Sequence, residues 1–192
     1  IYEVNQAPVL AGIGDKSVAE GSRLTFIASA TDADLPANRL TFSLGTGAPA
    51  GASINANTGE FTWTPTEAQG PGEYEITIIV SDDNILLAES DQETIHVTVA
   101  EVNQAPVLAV IGNQSVDEGE TLTFAASAAD ADLLANALTF SLEDGAPAGA
   151  GINASTGEFT WTPTEAEGPG IYDIHIRVAD SDGGTDAETI RV

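Results

Sequence analysis

The chain contains no cysteine, and only five of its 192 residues are basic. The absence of cysteine excludes disulfide bonds and thiolate metal sites. With 30 acidic residues and a net charge of −25, the scarcity of lysine and arginine argues against binding to nucleic acid or to anionic membrane surfaces. No apolar run reaches the ~18 residues of a membrane-spanning helix, so no membrane insertion is predicted.

The large acidic excess has two readings. Scattered carboxylates keep a chain soluble through self-repulsion, as suits a solvated surface in salty surroundings. Clustered carboxylates hold divalent cations instead. Both readings stay open for most of the acidic residues, whereas clustering favours the second reading.

The sequence repeats itself with an offset of 98 residues. The stretch EVNQAPVL at 3–10 returns at 101–108, and sixty of the eighty positions aligned from Glu3 to Asp82 are identical. A period of this length is too long for one repeat of a solenoid and matches the length of one small domain. It therefore indicates a tandem array of autonomous modules. The two ends resemble interrupted strands of such an array, and we expect further copies on both sides. The predicted modules are residues 1–100 and residues 101–192, with a linker around 100–106.

Apolar and polar residues alternate along most of each copy, which is the two-residue period of half-buried β-strands. Turn signals rich in glycine, proline and asparagine separate these runs, and no segment has a helical period. About seven short strands per module are typical of an antiparallel sandwich of the immunoglobulin class. We therefore predict an all-β chain of two tandem seven-stranded, Ig-like Greek-key β-sandwiches. Predicted core residues of the first copy include Leu24, Phe26, Phe42, Phe61, Trp63, Tyr74, Ile76, Ile78, Val80, Ile95, Val97 and Val99.

A set of short motifs recurs in the same order in both copies. VNQAPV opens each module, and Glu-Gly, Asp-Ala-Asp, LTFSL, GAPAGA and TGEFTWTPTE follow before a strand that begins with tyrosine and ends in aspartate. This order resembles the cadherin-like modules of the dystroglycan type, also called Ig-like repeats, of large bacterial surface and secreted proteins. The resemblance covers essentially the whole chain and implies a cadherin-like sandwich, in agreement with the strand pattern.

The resemblance also implies Ca²⁺ at the junction between consecutive modules. Calcium takes about six to eight oxygen ligands, chiefly from carboxylates, and an extended Asp-x-Asp segment places two carboxylates on one side. Two departures from the cadherin pattern, Pro65 and Gln104 in place of aspartates, favour one or two ions. The alternative for Asp-Ala-Asp is a loop whose side chains cap turns. The junction residues implied are Glu20, Glu67, Glu101, Asn103, Asp130, Asp132, Asn136 and Asp180.

Each end of the pair is expected to carry only half of such a site. The residues at the start of the first copy lack upstream donors, and those at the end of the second copy lack a downstream partner. We expect both half-sites to bind calcium weakly or not at all. The first comprises Glu3, Asn5, Asp32, Asp34 and Asp82, and the second comprises Glu118 and Glu165.

The sequence does not predict an enzyme. His96 and His175 lie at non-equivalent positions, and no Ser-His-Asp order or phosphate loop recurs. We expect a calcium-binding structural and adhesion repeat that acts as a rigid extender in a long array at the cell surface or in the extracellular space. Its expected partners are the adjacent repeats, with cell-surface glycans and homophilic protein contacts as further candidates.

The alternative function is that of a carbohydrate-binding module in a polysaccharide-degrading or cell-surface protein. This possibility comes from the resemblance and requires exposed aromatic rings on which a sugar can stack. Trp63 and Trp161 each alternate in phase with a phenylalanine two residues earlier. That phase predicts that both tryptophans belong to the core.

Overall fold

The structure is a computed structural model. It describes residues 4–35, 38–84, 87–132 and 137–192. The chain forms two compact units, one ending at Val102 and the other beginning at Asn103. Strands dominate both units, and the all-β prediction is confirmed. Within the described ranges, no helix has the length and apolar character needed to cross a membrane.

The first unit is a sandwich of two sheets with one extra two-stranded ribbon. The elements are β1 (Val9–Leu10), β2 (Lys16–Ala19), β3 (Leu24–Ile27), β4 (Ala30–Thr31), β5 (Thr41–Leu44), β6 (Ser53–Ile54), β7 (Glu60–Trp63), a 3₁₀ turn (Glu67–Gln69), β8 (Gly72–Ser81) and β9 (Ser90–Ala100). One sheet has the strand order β2-β9-β8-β5, the other has the order β3-β7-β6, and β1 pairs with β4. Every pairing is antiparallel except that of β2 with β9, which is parallel.

The second unit repeats this plan with shorter final strands. Its sheets have the orders β11-β15-β14 and β13-β16-β17, and β10 pairs with β12. All of these pairings are antiparallel. The elements are β10 (Val107–Leu108), β11 (Leu122–Ala125), β12 (Ala128–Ala129), β13 (Thr139–Leu142), β14 (Gly151–Ile152), β15 (Glu158–Trp161), β16 (Asp173–Ala179) and β17 (Thr185–Arg191).

The core of each unit lies between its two sheets and follows the predicted alternation. Along β8, Ile76, Ile78 and Val80 are fully buried, whereas the side chains between them lie toward the surface. Burying one such aliphatic side chain stabilises a fold by roughly 1.5–3 kcal/mol. Every predicted core residue named above is either buried or packed against the buried cluster, and the second unit shows the same arrangement.

One run that alternates without interruption in the sequence is divided between two strands. The pattern from Leu24 to Ala30 continues, but β3 ends at Ile27 and β4 begins at Ala30. The cause is Gly59, whose carbonyl accepts a 2.9 Å hydrogen bond from the Ala28 amide. Past this contact the chain leaves β7 and pairs with β1 instead.

Some of the acidic residues hold the start of each module in place. In the first unit, Asp91 accepts a 2.8 Å hydrogen bond from the Leu10 amide, and the two oxygens of Glu93 accept bonds of 2.7 and 2.9 Å from the amides of Ile13 and Gly14. Asp186 and Glu188 make the equivalent bonds in the second unit. These four carboxylates therefore serve the fold, because they satisfy main-chain donors that no neighbouring strand pairs.

Candidate metal centre

Three glutamates meet at one end of the first unit. Glu20 follows β2, Glu67 begins the 3₁₀ turn, and Glu101 follows β9. Because β2 and β9 run parallel with Ala19 beside Ala100, the residues that come next leave the sheet at the same edge. One carboxylate oxygen of each glutamate lies within 4.8 Å of the corresponding oxygens of the other two.

Glu20 is the most buried member of this cluster, with 5% of its surface exposed. Its Oε1 accepts a 2.9 Å hydrogen bond from the Val102 amide. Its Oε2 is buried and accepts no hydrogen bond from the residues that the structure describes. Gly70 leaves room for this oxygen, because a Cβ at that position would lie 2.0 Å from it. A buried charged oxygen without a partner is costly, and a bound cation removes that cost.

The donor chemistry of the three glutamates suits a hard divalent cation. All of the donors are carboxylate oxygens, which calcium and magnesium prefer, and the cluster contains no histidine or cysteine for a softer metal. Three carboxylates cannot alone fill about six to eight coordination positions, so carbonyls, further side chains or water must complete the shell. The residues therefore fit calcium as part of a larger ligand set.

In the second unit, carboxylates hold the segment that follows the cluster. Asp132 accepts hydrogen bonds of 3.0 and 3.3 Å from the Gln104 amide, and Asp180 accepts one of 3.1 Å from the Asn103 side chain. The Asp132 amide in turn donates a 3.0 Å bond to Oδ1 of Asp130. The other Asp130 oxygen is buried and has no hydrogen-bond partner among the described residues. The structure thus places Asn103 and Asp180 in one hydrogen-bonded pair, and the next residue, Gln104, bonds to Asp132, which in turn bonds to Asp130.

Asp180 remains ionised in spite of its burial. Burial raises its pKa, but hydrogen bonds from the Asn103 side chain and from the amides of Gly184, Asp182 and Gly183 together outweigh burial. The pKa of Asp180 consequently lies below its ordinary value. A carboxylate kept charged in a largely buried position is the form that a metal ion binds.

The first unit has an equivalent set at its own start. Asp82 accepts a 2.8 Å hydrogen bond from the Asn5 side chain, and Asp34 accepts two bonds of 3.2 Å from the Gln6 amide. The Asp34 amide donates a 2.8 Å bond to Asp32, whose Oδ2 is buried and has no partner in the described part of the chain. Burial raises the pKa of Asp82, but the Asn5 bond and two main-chain bonds lower it below its ordinary value.

Asn38, which is not among the predicted site residues, belongs to the set at the start of the first unit. Its side-chain amide donates 3.1 Å bonds to Asn5 and to Asp34. The repeat in the sequence points to Asn38, because it lies 98 positions before Asn136, one of the predicted junction residues. Glu3 and Asn136 themselves lie outside the described residues.

The half-site expected at the end of the second unit is not gathered into a cluster. Glu118 and Glu165 are both exposed. In the parts of the chain that the structure describes, the three glutamates of the first unit form the one group of three or more acidic, histidine or cysteine side chains whose donor atoms all lie within 4.8 Å of one another. The assignment of all these residues to a metal site stays a prediction.

Neither tryptophan offers a platform for a sugar. Trp63 is 1% exposed, donates a 3.2 Å hydrogen bond to the Ala50 carbonyl and packs edge-on against Tyr74. Trp161 is 2% exposed and makes the same contacts with Ala148 and Tyr172. The two tryptophans therefore do not supply the stacking surface that the carbohydrate-binding alternative requires.

Comparison with known proteins gives a family and a fold. The model of the family described as "Putative Ig domain" matches residues 7–100 and again residues 105–192. A search of curated proteins gave no significant match.

Three solved structures resemble the chain at 17–18% sequence identity. Human CDH23 EC21-23 has a TM-score of 0.64 over 100% of this chain and 65% of its own length. Human Protocadherin-24 EC1-2 (Form II) has a TM-score of 0.59 over 97% of this chain and 97% of its own length. Cadherin domains 1-5 of Protocadherin Gamma B2 have a TM-score of 0.60 over 98% of this chain and 40% of their own length. The predicted cadherin-like fold is confirmed.

Proposed function

The chain belongs to the Putative Ig domain family as two tandem members, and from that premise we propose that it is a calcium-binding structural and adhesion repeat. The observation that carries the proposal is the cluster of Glu20, Glu67 and Glu101, with carboxylate oxygens within 4.8 Å of one another. Three negative charges at this separation repel, and a divalent cation between them turns repulsion into attraction. The burial of Glu20 supports a cation rather than bulk water as the compensating partner.

We further propose that the second module completes the ligand shell. The cluster of the first module ends with Glu101, and Asn103 follows two residues later in the chain. The Asn103 side chain donates a hydrogen bond to Asp180, and the amide of the next residue, Gln104, donates to Asp132, whose own amide bonds to Asp130. Covalent proximity supports this sharing, because Val102 alone separates the two ligand groups in the sequence. An ion held by both modules restricts bending at the linker, which makes the pair a stiff extender.

The proposed setting is a longer extracellular or cell-surface array of a large bacterial surface or secreted protein. Adjacent repeats are the proposed partners, and homophilic contacts between arrays fit an adhesion role. The net charge of −25 supports a calcium-rich, salty surrounding, where both screening and ion binding reduce self-repulsion. No catalytic role is proposed.

Calcium titration calorimetry on the 192-residue chain tests the proposal. We expect Glu20→Gln to weaken the tightest binding event at least tenfold, because it removes one carboxylate charge from the cluster. Glu118→Gln is the matched control, since it removes the equivalent charge from an exposed position in the second module. Equal affinities of the parent chain and Glu20→Gln would overturn the proposal.

A second variant tests whether the modules share the ion. Asp132→Asn removes a charge but retains an oxygen that can accept the hydrogen bond of the Gln104 amide. If the ion is shared, Asp132→Asn weakens the same binding event as Glu20→Gln. If Asp132→Asn leaves that event unchanged, the first module binds calcium without the second, and the extender role loses its support.

A further inference from the structure

The second module contains two short sequences of the form Asn-x-Ser, and the first module contains neither. They are NAS at 153–155 and NQS at 113–115. The equivalent stretches of the first module are NAN at 55–57, which lacks the hydroxyl, and DKS at 15–17, which lacks the asparagine. Asn-x-Ser is the acceptor pattern for N-linked glycosylation, and the structural context that supports it is an exposed surface turn.

Asn153 lies in such a turn, between β14 and β15. Its main-chain amide donates a 2.8 Å hydrogen bond to the Glu158 carbonyl, and its own carbonyl accepts a 2.9 Å bond from the Gly157 amide. These two bonds close the turn on itself. Residues 153–156 are all exposed, so the turn presents the whole NAS sequence at the surface.

The two ends of the Asn153 side-chain amide have different surroundings. Its Oδ1 accepts hydrogen bonds of 2.9 Å from the Ser155 amide and 3.0 Å from the Thr156 amide, which is the geometry of an Asx turn. Its Nδ2 donates no hydrogen bond to any residue that the structure describes. The carbonyl oxygen therefore fixes the side chain against the main chain, while the nitrogen is left for a reagent that arrives from solvent.

We propose that Asn153 is an acceptor site for an N-linked sugar. The co-substrate is a glycosyl donor with a diphosphate leaving group, delivered by a glycosyltransferase. A bond forms between Nδ2 and the anomeric carbon of the sugar, and the bond from that carbon to the phosphate oxygen breaks. Its electron pair leaves with the diphosphate, and one Nδ2 proton passes to a base of the transferase. The product is still a neutral amide, so Oδ1 can keep both of its main-chain bonds.

This proposal does not rest on the calcium proposal. The hydrogen bonds of Asn153 involve no acid of the candidate metal centre, because every one of them lies within residues 153–158. A transferase that reshapes the sequence in its own site therefore disturbs one surface turn and leaves the sheets intact.

The second Asn-x-Ser sequence is a built-in comparison. Asn113 is also exposed, but its Oδ1 accepts a 3.0 Å hydrogen bond from the Arg191 amide, 78 positions away. Fitting this sequence into a transferase would break a contact that holds the segment before Val116 against β17. We therefore expect Asn153 to accept sugar at least tenfold faster than Asn113 in the folded chain.

Mass spectrometry of the folded 192-residue chain tests the site, in two reactions that differ in the source of the sugar. One contains a soluble asparagine glycosyltransferase and a nucleoside-diphosphate hexose. The other contains membranes with an oligosaccharyltransferase and a lipid-diphosphate oligosaccharide. Both enzymes are first shown to be active on a model acceptor peptide. We expect sugar on Asn153 in at least one reaction, and the reaction that succeeds identifies the class of donor.

The same chain, denatured, shows whether folding blocks the site. Sugar on Asn153 in the denatured chain but not in the folded chain would overturn the proposal, because the turn would then be inaccessible. Absence of sugar from both chains would also overturn it, because the sequence would then be no acceptor.

Matched variants exchange the two modules at this turn. Ser155→Asn copies Asn57 and removes the hydroxyl, so we expect Asn153 to remain unmodified, whereas Ser155→Thr should remain an acceptor. Asn57→Ser gives the first module the same sequence in the same turn, because Oδ1 of Asn55 also accepts the amides two and three residues later, at 2.9 and 3.1 Å. We expect Asn55 to gain the sugar. Modification of Asn153 in the Ser155→Asn chain would overturn the proposed site.

Discussion

Thr164 and Glu167 are joined through a single carboxylate oxygen, because Oε2 of Glu167 accepts a 2.7 Å hydrogen bond from the Thr164 amide and a 2.8 Å bond from its hydroxyl. These two bonds favour the ionised acid and outweigh the effect of burial, so the pKa of Glu167 lies below its ordinary value. In the first module Gln69 makes the same two bonds to Thr66 without carrying a charge. The repeat thus contains a neutral and a charged version of one capping arrangement.

The Thr164 contact predicts a specific effect of acid on the second module. Because the pKa of Glu167 is lower in the folded than in the unfolded chain, its stabilising effect is present above the unfolded pKa, about 4.3. That effect is lost as the pH falls through the folded value. We expect Glu167→Gln, which copies Gln69, to reduce the loss of stability of the second module between about pH 5 and 3. Denaturant unfolding across this range measures the difference.

The control for this experiment removes the same charge from a neighbouring position. Glu165 is exposed, so Glu165→Gln lowers the net negative charge without changing the capping contact. If the two variants change the pH dependence equally, general charge repulsion and not the Thr164 contact is responsible.

Gly59 and Gly14 allow backbone strain to be separated from steric conflict. Both have a φ of +68°, but a Cβ on Gly59 would lie 2.2 Å from the Ala28 carbonyl oxygen, whereas a Cβ on Gly14 meets nothing within 4 Å. We expect Gly14→Ala to cost about 1–2 kcal/mol from the left-handed backbone alone. Gly59→Ala should cost about 1–3 kcal/mol more, because main chain must move. Equal losses in denaturant unfolding would contradict this division.

Gly70 and its equivalent Gly168 test how firmly the cluster glutamate is held. A Cβ on Gly70 would lie 2.0 Å from Oε2 of Glu20, and a Cβ on Gly168 would lie 2.1 Å from Oε2 of Glu118. Glu118 is exposed and can rotate away, whereas the buried Glu20 cannot. We expect Gly70→Ala to cost about 1–3 kcal/mol and Gly168→Ala less than about 1 kcal/mol. Similar costs would mean that Glu20 is also free to move.

The sequence predicts the core well because the signal for burial is local. Ile76, Ile78 and Val80 alternate with polar residues, and that period alone places them on one face of a strand. The sequence could not reveal the hydrogen bonds of Glu93 in the same way. Its partners are main-chain amides about 80 positions away, and every residue except proline carries such an amide. No pattern of side chains therefore marks which acids serve the fold.

The repeat shows which acids of the candidate site are equivalent, but it does not show how far each of them is buried. Asp34 is equivalent to Asp132, and Asp82 is equivalent to Asp180. All four of these aspartates are buried. Glu20 and Glu118 are also equivalent, yet one is buried and the other is exposed. Glu20 lies beside β9, because its amide donates a 3.0 Å hydrogen bond to the Ala100 carbonyl, and the local sequence of the glutamate does not contain that partner.

The strongest prediction concerns Glu20, for which one substitution should have opposite effects with and without calcium. Two unit charges 4.8 Å apart, the largest separation in the cluster, repel by about 1 kcal/mol in bulk water and about 3.5 kcal/mol at the effective dielectric of a protein surface. In chelator, Glu20→Gln relieves that repulsion, and its side-chain oxygen can still accept the Val102 amide, so we expect the first module to become about 1–3 kcal/mol more stable. In excess calcium the parent chain gains binding energy that the variant lacks, and we expect the order of stability to reverse.

Glu118→Gln is the control for this prediction and should change stability by less than about 0.5 kcal/mol in either condition. A Glu20→Gln variant that is less stable than the parent in chelator would show that the cluster is held together by contacts other than a metal ion.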